Sequence, residues 1–91
     1  MTVIEKIAKD LHLTPKKLIE KSLKTYIQQM LSKLDSEYFL IAKKHGVNDV
    51  FDMEEKVKKG LINENDAYDD FFLLDNIGTE RKKLNSILNK L

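Results

Sequence analysis

Residues 14–46 read TPKKLIEKSLKTYIQQMLSKLDSEYFLIAKKHG, and the reading of this stretch decides the fold. Leu18, Ile19, Leu23, Tyr26, Ile27, Met30, Leu31, Leu34, Tyr38, Ile41 and Ala42 recur at the three- and four-residue spacing of a helix face. Thr14 suits an N-cap. Pro15 suits the first helical position, where a missing amide proton costs nothing. No Gly or Pro follows until Gly46, a natural left-handed residue at a helix C-terminus. The pattern predicts a helix over 15–45, about 30 residues or roughly 45 Å long. A compact chain of this length has a radius of gyration of about 12 Å. Such a rod overhangs its own domain, and its apolar stripe is bare unless something covers it. Asp35-Ser36 offers a second N-cap, so a break near Leu34 is the competing reading.

Working outward, Val3, Ile4, Ile7, Ala8 and Leu11 mark a short helix over about 3–12, with Thr2 and Glu5 in capping-box register. After Gly46, Val47-Asn48-Asp49 reads as a connector. A helix over about 50–59 follows, carrying Val50, Phe51, Met53 and Val57, with Asp52 and Glu55 spaced as a capping box and Gly60 at its end. Either Asn63 or Asn65 can cap a last helix over about 65–90. There Leu73, Ile77, Glu80, Leu84, Ile87 and Leu91 alternate steps of four and three, as a coiled-coil seam does, with Glu80 the polar exception. Gly78 interrupts that helix, marking a kink or a point where another helix passes close. No segment alternates with period two, so the expectation is an all-α single domain over 1–91. It has four helices and no sheet, and the long second and fourth helices lie antiparallel.

A chain of 91 residues buries a modest fraction of its surface, and help from oligomerisation is expected. The absence of cysteine removes disulfides and thiolate metal sites and favours an intracellular setting. No apolar run reaches the roughly 20 residues of a membrane span, and the charged start does not resemble a secretory signal, so a cytoplasmic protein is the default. Charge is 34% of the sequence at a net of only +1. Seven lysines face three acids over residues 1–34, a net of +4, whereas five lysines face eleven acids over 35–75, a net of −6. Residues 76–91 return to +3, with four basic residues against Glu80. Basic ends can fold back on an acidic middle or pair head-to-tail with a copy.

Chemistry of the catalytic kind has little to stand on. His12 falls in a turn and His45 at a helix end, neither with a second His or Cys at ligand spacing, so no metal, cofactor or catalytic residue is expected. Glu64-Asn65-Asp66-Ala67-Tyr68-Asp69-Asp70 fails as a calcium loop because Tyr68 stands where the sharp turn needs Gly. Carboxylates there suit the positive end of a helix dipole. The functional reading is a negative, aromatic surface of Asp66, Tyr68, Asp69, Asp70 and Phe72 facing a basic partner. The plainer alternative makes the rings core. Lys6, Lys9, Lys16, Lys17, Lys21 and Lys24 offer a nucleic-acid surface, at a density ordinary for a solvated face and without Arg, the usual reader of base edges.

The run Ala8-Lys9-Asp10-Leu11-His12-Leu13-Thr14-Pro15-Lys16-Lys17-Leu18-Ile19-Glu20-Lys21-Ser22-Leu23 resembles the two-helix part of ribbon-helix-helix antitoxins. In that family a helix ends at a Leu-Gly-Leu-Ser/Thr turn, and the next helix opens with a Leu-Ile pair. This chain departs from the pattern in carrying His12 at the turn glycine and only Met1 and Thr2 where the DNA-reading strand would be. Lys44-His45-Gly46-Val47, Met53-Glu54-Glu55-Lys56-Val57, Gly60-Leu61-Ile62-Asn63-Glu64 and Ala67-Tyr68-Asp69-Asp70 resemble small helical prokaryotic proteins associated with antitoxin-like genes. The resemblance implies a protein antitoxin: a helical homodimer or higher oligomer that masks a partner toxin, with helix-mediated pairing in place of operator binding. The apolar seams expected to hold the oligomer are Tyr26, Met30, Leu34, Tyr38 and Ile41 in one helix and Leu84, Ile87 and Leu91 in the other. A DNA-binding regulator using the basic amino-terminal helices and a purely structural oligomerisation module are the alternatives.

Overall fold

The computed structural model describes residues 2–91, and among them every regular element is a helix. The four helices are α1 (Val3–Asp10), α2 (Pro15–His45), α3 (Val50–Lys58) and α4 (Glu64–Asn89). Their boundaries follow local chemistry. Thr2 accepts the Glu5 amide at 3.2 Å and donates its hydroxyl to the Glu5 carboxylate at 3.0 Å, which caps α1 through the two side chains without the backbone return bond of a full capping box. Thr14 accepts the Lys17 amide at 3.1 Å ahead of Pro15. Gly46, at φ 63°, ends α2 in the left-handed conformation. Asn63, not Asn65, caps α4 by accepting the Asn65 amide at 2.9 Å, so the helix begins at Glu64.

Three sequence expectations are corrected here. The cap of α3 lies one turn earlier than the Asp52/Glu55 pair: Asp49 accepts the Asp52 amide at 2.7 Å, while the Asp52 carboxylate reaches back to the Asn48 amide at 2.9 Å. The chain turns at Asn48-Asp49, and that turn places Asp49 where the orphan amides point. The break near Leu34 does not occur. Asp35 and Ser36 lie inside a continuous α2, with the Ser36 hydroxyl donating to the Ser32 carbonyl at 3.0 Å. Gly78 marks no close passage of another helix, since a Cβ there would meet nothing within 4 Å.

α2 and α4 run antiparallel. Lys44 of α2 meets Asp70 of α4, and Asp35 meets Arg81, so residue numbers fall along one helix as they rise along the other. Among the residues withdrawn from solvent, α2 carries the row Ile27, Leu31, Leu34, Tyr38, Ile41 and His45 beside Met30 and Ala42, and α4 the row Ala67, Asp70, Leu74, Ile77, Arg81, Leu84 and Leu88 beside Phe71 and Ile87. Both rows step by threes and fours, the signature of two helices packed along their length. Ile77 and Leu84 of the expected α4 seam are buried, but Leu74 takes the place of Leu73 and Arg81 that of Glu80. Arg81 is admitted because its guanidinium lies 5.0 Å from the Tyr38 ring centroid while its Nε forms an ion pair with Asp35 at 3.0 Å. α3 closes the carboxyl-terminal end of α2, and Met53 and Leu74, both fully buried, form the centre of a core with Ala42, Val47 and Ala67.

That core occupies one part of an elongated molecule measuring 63 × 20 × 16 Å. The radius of gyration is 19.3 Å, against about 12 Å for a compact chain of this length. The accessible surface is 7151 Å², where a compact chain would expose about 5,500 Å². The surplus comes from geometry: α2 outruns α4, and Ile27 is its last buried residue toward the amino terminus. Beyond it only the short α1 folds back, held through the fully buried Ala8 and the Leu13 amide, which donates to the Ala8 carbonyl at 2.8 Å.

Candidate interaction surface

At the carboxyl-terminal end of α2, two of its side chains converge on Asp70 of α4. Its carboxylate accepts from Lys44 Nζ at 2.8 Å and from His45 Nε2 at 2.7 Å. A carboxylate only accepts, so the His45 proton sits on Nε2. Both hydrogen bonds favour the ionised acid, and the Asp70 pKa lies below its ordinary value despite some burial; Lys44, bonded to that charge, is raised above its own. Asp70 is thus turned inward as a clamp that ties α4 to the end of α2. Of the five residues expected to face a basic partner, it is the one engaged within the protomer.

The other four are presented outward. Asp66 and Asp69 are exposed, Tyr68 is 60% exposed and Phe72 is 49% exposed. The plainer alternative, rings as core, holds for Phe71 alone, which packs against the buried cluster. Phe72 meets Tyr68 edge-on at 5.1 Å and Phe71 at 5.8 Å. Beside these rings, α3 and α4 leave an open groove of 320 Å³, floored by Val57, Ala67 and Phe71 and edged by Glu54, Lys58 and Glu64. Glu54 is paired with Lys58 at 3.2 Å. Glu64, Asp66 and Asp69 form no ion pair among the described residues.

The residues expected to hold an oligomer divide differently. Leu84 is buried, and Tyr38 and Ile41 pack on the core. Met30, Leu34 and Ile87 are half-buried, and Tyr26 and Leu91 are exposed at 61% and 51%. Much of that seam is therefore used inside one protomer. Bare apolar surface lies on the amino-terminal hairpin formed by α1 and the start of α2, and also outside it at Phe39, Leu40, Phe51 and Leu61, which are 63–78% exposed. On the hairpin Val3, Ile4, Ile7, Leu11, Ile19 and Leu23 are 42–70% exposed. The sequence carried the signal for this in the overhang of α2. What it lacked was the register of α4 against α2, which fixes where cover stops.

A family model described as the Uncharacterized protein MJ0235 family matches residues 1–91. The chain belongs to that family. Its match runs through the residues of hairpin and body alike. No curated protein and no solved structure matches the chain. No helix of the described residues is long and apolar enough to cross a membrane.

Proposed function

We propose that this protein acts by binding protein, as a non-enzymatic, antitoxin-like component that neutralises a partner toxin by covering it. The observation that carries the reading is the surplus of exposed surface. The 7151 Å² of the chain exceeds the compact expectation by roughly 1,700 Å², and the hairpin contributes six exposed large aliphatic residues to it. Monomers rarely leave a cluster of large aliphatic residues bare unless it meets a partner. The mechanism is steric and electrostatic. Asp66 and Asp69, exposed on the same stretch of α4 as Tyr68 and Phe72, suit a basic cleft, with rings supplying contact area and acids supplying orientation and encounter rate. The antitoxin assignment draws further on the resemblance of residues 8–23 to ribbon-helix-helix antitoxins. The structure adds one point: His12 adopts φ 58°, the left-handed conformation that the family's turn glycine would take.

Co-expression with the product of the adjacent gene tests the proposal. Growth rescue together with co-purification is the expected outcome, and both should weaken in D66K/D69K. A folded protein that neither rescues nor co-purifies refutes it. One observation favours a second reading: Lys6, Lys9, Lys16, Lys17, Lys21 and Lys24 are exposed and form no ion pair among the described residues. They would suit phosphates, and DNA binding would then weaken steeply with salt as counterions are released.

A further inference from the structure

We propose that α4 is a helix in two parts, hinged at Gly78, and that its outer part over residues 79–89 is a strap that lifts from the middle of α2 while the body stays folded. The movement belongs to a single chain and does not depend on the protein-binding reading.

Gly78 lacks any packing reason. Glycine is the poorest helix former after proline, because folding costs it the most backbone freedom. A glycine inside a helix is usually explained by a positive φ or by a close neighbour. The positive-φ glycines here are Gly46 and Gly60, and a Cβ at Gly78 meets nothing within 4 Å. What remains is its freedom. The next residue weakens the same turn. The Thr79 hydroxyl donates to the Asp75 carbonyl at 3.1 Å, the acceptor that its own helical amide uses. Glycines and back-bonded hydroxyls of this kind are where helices bend.

The two sides of Gly78 are held differently. Toward the amino end, Ala67 and Leu74 belong to the core cluster, Phe71 packs on it, and Asp70 is tied to Lys44 and His45. Among the described residues, that cluster and the side chains packed on it include nothing from α4 beyond Leu74. Toward the carboxyl end, Leu84 is buried and Ile87 and Leu88 are half-buried. The antiparallel register set by Asp35 and Arg81 places them opposite the part of α2 around Ile27 and Leu31. The ion pair of this outer part is Arg81 with Asp35, whose side chains are 38% and 59% exposed, so solvent screens it. One apolar row and one screened pair close the strap, outside the core. Segments held in this way open at lower free energy than the core does.

What the strap hides is distinctive. Residues 25–32 of α2 carry no charge, in a chain that is 34% charged. Lifting the strap bares Ile27 and Leu31 within that stretch, and depletion of charge marks the centre of an interface. The hinge therefore governs access to the middle of α2.

Hydrogen exchange of the full chain, resolved amide by amide by NMR, tests this. Isolated helices shorter than about 12 residues are marginal in water, so a lifted strap melts and all of its amides exchange together. Amides 82–88 are expected to share one protection level, roughly tenfold or more below that of amides 70–77, with the step at Gly78. Gly78→Ala should slow the whole outer set about fivefold, since alanine resists the coil that the hinge must adopt. Fraying from the carboxyl end predicts protection that climbs residue by residue, with amides 84–88 indifferent to a change at 78. Either of those results overturns the proposal, as does uniform protection along α4. Ile27→Cys supplies a second readout, because the chain has no other thiol. Its alkylation should run through the same opening and slow by the same factor when Gly78→Ala is added. Alkylation that ignores the added change would show that the strap does not control α2, and would overturn the proposal as well.

Discussion

The two ends of α2 lead different lives. Its carboxyl-terminal half is enclosed by α3 and α4, with Met53 and Leu74 fully buried and a three-sided polar clamp at Lys44, His45 and Asp70. Its amino-terminal half has only the eight residues of α1 for company, and Ala8 is the single residue of α1 that is buried. Length alone does not stabilise a helix in water; packing of an apolar face does. The body therefore holds itself together, while the hairpin is folded mainly by its caps, its turn and the contact around Ala8. The lesson is that one continuous helix can join a self-sufficient core to a segment whose apolar residues await cover.

The sharpest way to break this comparison is to empty the core. Leu74→Ala removes a fully buried side chain, and a loss of about 3 kcal/mol is expected in urea unfolding followed by circular dichroism. Leu11→Ala, at a residue 55% exposed, should cost the isolated monomer well under half of that. Equal losses would mean that the hairpin is as firmly cored as the body, and the contrast drawn above would fail.

A second change acts on the hairpin alone. Ala8→Leu inserts a larger side chain where α1 lies against α2, a position with no exposed surface. Overpacking costs about 1–3 kcal/mol, and here the strain can be relieved by detaching α1. Hydrogen exchange should show protection lost over residues 3–10 and retained over 64–89. Loss of protection throughout would show that hairpin and body unfold as one unit.

Most of the fold was legible because its boundaries are written in residues with one strong preference: Thr2, Thr14-Pro15, Gly46, Gly60 and Asn63. The seam register of α4 was legible only in part. Its apolar residues come in adjacent pairs, Phe71-Phe72, Leu73-Leu74 and Ile87-Leu88, so two registers one residue apart satisfy the same periodicity. The tie is broken by polar residues. Asp70 and Arg81 fall on the seam because partners wait on α2, whereas the other register would bring Glu80 and the exposed Leu73 inward. Pairing across 25 to 46 positions in the chain is a tertiary fact, and spacing along α4 does not contain it. For the same reason, the acids at the start of α4 could be read as a group, but not that Asp70 turns away from the others.

Asp70 also separates the regions by pH, since the hairpin has no comparable clamp. Hydrogen bonds from Lys44 and His45 hold its carboxyl below the ordinary value of 3.8. A carboxyl with a folded pKa below its unfolded one stabilises in full above the unfolded value, and the contribution is lost as pH falls through the folded one. Asp70→Asn should cost about 1 kcal/mol at neutral pH, the scale of a hydrogen bond to a partly shielded charged group. The difference from wild type should stay level from about pH 5 upward and shrink below about pH 4. A difference that persists unchanged to pH 2 would show that the carboxylate charge is not what ties α4 to α2.

The smallest effect expected is a gain, and it tests whether the hairpin carries strain of its own. His12 sits at φ 58° between α1 and α2, the only non-glycine residue with positive φ among those described. A side chain with a Cβ pays about 1–2 kcal/mol for the left-handed conformation, less for single turn residues that bond locally. Glycine removes that penalty but adds freedom to the unfolded chain, worth up to about 1 kcal/mol in the opposite sense. His12→Gly should therefore stabilise the hairpin by about 0.5 kcal/mol, seen as slower exchange of the α1 amides with the α4 amides unchanged. Faster exchange at α1 would mean that the imidazole contributes more than its backbone costs. The histidine would then be holding the turn, and the hairpin would be less dependent on outside cover than its exposed aliphatic residues imply.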